Sequence, residues 1–162
     1  MTAKFILVNP HSCVDLITNS SSELFIGKND QGIEFVKETL TEMLKEYNEE
    51  TADDLSFDSV FGDVKVVTDY NDLLETILYF GYHHSSLLKG MKPIPVYDYE
   101  SDDTYEEFKA ERSIWIAKHL DKFKQRIQGS IIIESADDNS IPFDLFDKIE
   151  DLLSPSHRFH LG

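Results

Sequence analysis

The chain has 162 residues, 31 of them acidic and 15 basic, giving a formal net charge of −16. A field of that sign repels phosphate backbones and anionic head groups, so direct nucleic-acid binding and attachment to a membrane surface are disfavoured. Hydrophobic residues make up 41%, including eleven Phe and seven Tyr, which is enough for a core and argues against wholesale disorder; the length fits one globular domain over residues 1–162.

The first apolar run, "KFILV" (residues 4–8), has strand character and is closed by Asn9 and Pro10. Its apolar stretch is too short for a signal-peptide core, and no run in the chain approaches the ~18 residues needed to cross a bilayer. Cys13 is the only cysteine, so no intramolecular disulfide can form and a reducing cytoplasm is the expected setting. A second apolar run, "ELFIG" (23–27), follows the polar knot Thr18, Asn19, Ser20, Ser21 and Ser22, and glycine closes it. From residue 31 to 48 apolar side chains recur at three- and four-residue steps from Ile33 to Tyr47, while Glu34, Glu38, Glu42 and Glu46 mark another face, the pattern of an amphipathic helix.

The acidic stretch "NEETADDLSFDS" reads as a loop before a strand at 63–67. Thr68 or Asp69 can cap a helix that buries Leu73, Leu74, Ile77 and Leu78 and stops at Gly81. Residues 90–103 carry two prolines two positions apart, which forces extended backbone and predicts a mobile surface crossing. A long helix over 104–128 should bury Phe108, Trp115, Ile116, Leu120, Phe123 and Ile127. "SIIIES" (130–135) has the β-branched density of a central strand buried on both faces. Ser140 is placed to cap a last helix with Phe143, Phe146, Ile149, Leu152 and Leu153 inward, and "HRFHL" ends the chain as a strand. The order predicts an α/β or α+β fold, a central sheet of about four to five strands covered by about four helices.

Three groups of residues have chemistry to offer. The knot Thr18, Asn19, Ser20, Ser21 and Ser22 is first a turn former, and outward-facing hydroxyls and amides there could also hold a ligand. A nucleophile at Ser21 or Ser22 needs an adjacent base, for which Asp137, His157 and His160 are the candidates, although no G-x-S-x-G or S-x-x-K pattern surrounds these serines. His11, Cys13, His157 and His160 are zinc-ligand types, but H-x-C and H-x-x-H match no zinc signature, and a strand would send residues 157 and 160 to opposite faces. Glu134, Asp137 and Asp138 follow the central strand, where open α/β sheets bind ligands, or simply form a polar turn. No phosphate loop, dinucleotide fingerprint, EF-hand or H-E-x-x-H occurs, and no cofactor is expected. Six Lys and Arg between residues 109 and 126 make the long helix locally basic, suited to neutralising the segment "YDYESDDTYEE" (97–107), which packs six carboxylates among three tyrosines, or to docking an acidic partner or a second subunit.

The segment "DLITNSSSELFI", with the turn "DDNS" and the ending "HRFHLG", resembles a group of short bacterial and phage proteins that open with a similar I-T-N-S-S-S segment. The resemblance brings no activity with it. It implies a phage or mobile-element origin, in a host cytoplasm or a virion, and marks Thr18 to Ser22 as a shared feature. The strong acidity, the tyrosine-rich acidic segment 97–107 and the absence of a catalytic signature favour a non-enzymatic accessory protein that binds a protein partner or itself, an assembly component or an inhibitor of a host factor, with nucleic-acid mimicry as one form. The alternative is a small hydrolase or transferase built from the serine knot, the tail histidines and the carboxylates.

Overall fold

A computed structural model describes residues 22–95 and 105–161. The expected strand at 4–8, residues Thr18 to Ser21 of the knot, His11, Cys13, and residues 96–103 of the proline segment lie outside the described residues. In chain order the elements are β1 (Ser22–Gly27), α1 (Ile33–Thr51), α2 (Phe57–Val60), β2 (Phe61–Val66), α3 (Tyr70–Tyr79), α4 (Tyr105–Ile127), β3 (Ile131–Ser135), α5 (Phe146–Leu152) and β4 (Ser156–Leu161). The four strands form one sheet in the order β2-β3-β1-β4, every pairing antiparallel, and with five helices the fold is α+β. The described residues divide into two compact units, one of residues 22–67 with 129–161 and the other within Thr68–Gln128.

The first unit holds the sheet. Residues paired across neighbouring strands share a face, so Phe25 lies with Ile133 and Val64, and these pack with Val36, Leu40 and Met43 of α1 and with Leu145 and Ile149. Leu24, Ile26, Ile132 and Phe159, on the other face, are also buried. The β-branched run of β3 therefore does lie between two strands, buried at all five positions, because only residues shielded on both sides can be apolar without alternation. Of the two readings of the carboxylates after that run, antiparallel pairing favours the polar turn. The ligand-binding edge of open α/β sheets depends on parallel strands, and here Asp137 and Asp138 enter a local turn in which Asp137 N–H donates to Ser140 Oγ at 3.1 Å and Asp138 N–H to Asp137 Oδ1 at 2.8 Å.

Other differences have local causes. Ser140 does not cap a helix: its hydroxyl donates to Val60 O at 2.7 Å, tying the turn to the end of α2, and α5 begins without a side-chain cap. A 3₁₀ turn, Phe143–Leu145, precedes α5 and changes the phase of the stripe, so Leu145 is buried and Phe143 is 77% exposed rather than inward. The acidic loop contains the single-turn α2, which Ser56 starts through a reciprocal bond with Ser59.

The second unit pairs α3 with α4. Asp69 caps α3, its carboxylate accepting Asp72 N–H at 2.9 Å, and Leu73, Leu74 and Ile77 are buried as expected. Along α4, Phe108, Trp115, Ile116, Phe123 and Ile127 are buried, Leu120 is only half-buried, and Arg112 is buried beside Glu75, with Nη2 3.7 Å from Oε1. Much of the helix's basic character has structural work. Arg126 donates to Leu87 O at 2.7 Å and to Lys89 O, Lys122 Nζ donates to Gly90 O at 3.3 Å, and Lys124 lies 5.4 Å over the Tyr70 ring. Arg126 and Lys122 thus satisfy carbonyls of residues 87–90 beside that segment's own 3₁₀-type backbone bonds, a role that needs no acidic partner.

Candidate functional site

Glu23 is the second residue of a strand whose every position is buried, an unusual place for a carboxylate. The register sets it opposite His160 of β4, and its Oε2 meets His160 Nδ1. Its Oε1 lies 3.8 Å from Arg158 Nη1, and its backbone N–H donates to Ser135 Oγ at 3.0 Å. Arg158 also reaches Glu150 of α5, Nε to Oε2 at 3.1 Å, and its guanidinium sits 5.0 Å over the Phe146 ring. The Glu23 side chain is 7% exposed and the His160 ring 54%. Burying a carboxylate requires partners, and here both, His160 and Arg158, come from β4, while Ser135 of β3 accepts only the Glu23 backbone N–H.

A buried carboxylate that grips Nδ1 fixes the tautomer and orientation of an imidazole, the second half of a nucleophilic triad. The first half is missing among the described residues. Ser22 and Glu23 are adjacent in a strand and point to opposite faces, so Ser22 turns away from His160. Ser135 is on the far side of Glu23, about 10 Å across two strand spacings from β4. The row reads serine, carboxylate, imidazole, whereas proton transfer from a serine needs the imidazole in the middle. Among the described residues this arrangement joins the end of β4 to β1 and, through the Glu23 N–H, to β3.

The remaining candidates are dispersed. His157 stands opposite Ile26 and shares a face with Ser22, but four positions along the strand separate them, about 13 Å. His157 and His160 face opposite sides, as strand geometry predicts, and no group of three His, Cys, Asp or Glu able to hold a metal ion occurs among the described residues. Burial pushes the His157 imidazole below its ordinary value of 6.5. The unfolded chain then takes up a proton near pH 6.5 that the folded chain resists, so this residue's contribution to stability is present above that pH and is lost as pH falls toward its folded value. His157→Gln is expected to flatten the fall in the urea midpoint between pH 7.5 and pH 5.5; an unchanged slope would place the effect elsewhere.

Glu23, Arg158 and Glu150 are the residues that sequence reasoning passed over. The signal was available: an acid inside the apolar strand "SELFIG", and an arginine alternating with the histidine of "RFH", in phase for one face.

A second feature is electrostatic. The described residues of the sheet unit carry nineteen acidic against six basic side chains, while Thr68–Gln128 has eleven against eight, so most of the net charge belongs to the sheet unit. Glu34, Glu38, Glu42 and Glu46 are exposed along one side of α1, about 6 Å apart along its axis, and Glu49, Glu50, Asp53 and Asp54 continue the exposed carboxylates past its end. The last turn of α1 has no basic residue, although a helix C-terminus carries partial negative charge and favours cations.

No helix among the described residues is long and apolar enough to cross a membrane. No family model matches the chain, and neither the curated proteins nor the solved structures contain a match to it.

Proposed function

We propose that the protein is a non-enzymatic accessory protein that works by protein–protein contact, presenting the acidic side of α1 to a basic partner. The observation that carries this reading is the placement of Glu49 and Glu50 in the last turn of α1, after four glutamates at like-charge spacing. Each like-charged pair at four-residue spacing costs about 0.2–0.5 kcal/mol, and carboxylates at a helix C-terminus cost a similar amount or more. Keeping them against local stability is what an electrostatic docking face requires. The resemblance of the N-terminal segment to short bacterial and phage proteins supports a phage or mobile-element setting, with a host factor or a particle component as the partner and a host cytoplasm or virion as the compartment.

The test is a combined variant, Glu34→Gln, Glu38→Gln, Glu42→Gln and Glu46→Gln. Relief of four like-charge pairs, Glu46–Glu50 included, should leave the fold intact and raise its stability by about 1 kcal/mol. In affinity capture from a bacterial lysate the variant should lose a protein that the wild type retains at low salt and releases as the salt is raised. Equal capture of that protein by both would contradict the reading.

A further inference from the structure

The C-terminal half of α1 and residues 53–57 enclose an open groove of about 410 Å³ within the sheet unit. Its floor is apolar, formed by Leu44, Leu55 and Phe57, the last two half-buried. Glu49 and Asp53 stand on its rim, and neither is ion-paired among the described residues. Lys45 is the one cation of the lining. The wall opposite the helix is held in place: Asn48 Nδ2 donates to Leu55 O at 3.0 Å, and Leu55 N–H donates back to Asn48 Oδ1 at 3.1 Å. Phe57 is held in turn by ring contact with Phe61, centroids 5.0 Å apart. The wall is thus fixed by the chain's own bonds, and the groove has the volume of a ligand site.

We propose that this groove receives a short segment of the basic partner in which one aromatic or large aliphatic side chain is flanked by Lys or Arg. The apolar side chain would cover Leu44, Leu55 and Phe57, and its flanking cations would meet Glu49 and Asp53, with Glu46, Glu50 and Asp54 extending the same field. Charge complementarity selects this occupant over an acidic or purely apolar one, since seating either would leave the rim carboxylates beside like charge or desolvated without a partner. The proposal rests on the docking reading above and locates its specificity.

The probe is the peptide KKFKK titrated into isotope-labelled protein, with KKSKK and EEFEE as controls and amide shifts as the readout. KKFKK should shift Asn48, Leu55 and Phe57 and bind about tenfold more tightly than KKSKK, the effect of partly burying one aromatic side chain. Thr41→Trp, at an exposed helical position on the groove wall, should erase the difference between the two peptides while leaving the fold unchanged. If KKFKK and KKSKK bind alike and shift only the glutamate row of α1, the groove is overturned and the acidic docking face stands. If EEFEE shifts Leu55 and Phe57 as strongly as KKFKK, charge selection is overturned. If no cationic peptide shifts any resonance, both the groove and the docking face fall.

Discussion

Phe25→Ala is expected to lower the stability of the sheet unit by about 4 kcal/mol, measured as a drop in the urea midpoint with little change in the slope of the transition. Phe25 has no exposed surface and sits in the middle of β1, an interior strand of the sheet. It faces Ile133 on one side and Arg158 on the other, and its ring makes an edge contact with Phe146 at 5.8 Å. Truncation loses the transfer free energy of the ring and also leaves a cavity, because neighbours held by two strands and by α1 and α5 can collapse into it only in part. A further loss follows from Phe146, which makes edge contacts with Phe25 and Phe143 and lies beneath Arg158 at once. A cost below about 1 kcal/mol would mean that the ring is not enclosed as described.

Gly27→Val acts by the opposite route and should cost at least about 3 kcal/mol. A Cβ at this position would lie 2.4 Å from Pro155 O and 2.6 Å from Leu153 Cβ. One of these atoms is backbone, so no rotamer change relieves the contact, and β1 would have to separate from the start of β4, where Gly27 pairs with Ser156. Gly27→Ala carries the same first carbon and should show most of the loss in a thermal melt. An alanine variant as stable as the wild type would show that this approach is looser than the distances indicate.

Much of the fold was legible because its signals are periodic and local. The stripe from Val36 to Leu44, the cap at Asp69 and the unbroken apolar run of β3 each report an environment through side-chain spacing alone. The strand pairing was not legible, since joining β1 to both β3 and β4 depends on contacts more than a hundred residues apart. Phe143 shows the limit of helical phase: a single 3₁₀ turn ahead of α5 put Leu145 inside and Phe143 outside. Of the candidate site, the opposite facing of His157 and His160 followed from strand geometry. The partner of His160 did not, because Glu23 acquires its meaning only from the register that sets the two side by side. Likewise the groove beside α1 arises from Asn48 folding an acidic loop back onto its helix, an interaction no spacing announces.

The central claim is that the carboxylates of α1 meet the cations of a partner, and carbodiimide cross-linking reports that contact residue by residue, since it joins a carboxylate to a lysine amine only where the two touch. Complexes captured from a bacterial lysate should carry cross-links to the lysines of one partner protein from Glu34, Glu38, Glu42, Glu46, Glu49 or Asp53, and these should vanish when the salt is raised. Cross-links arising from Asp137, Asp144 or the carboxylates of Thr68–Gln128, with the glutamates of α1 silent, would contradict it.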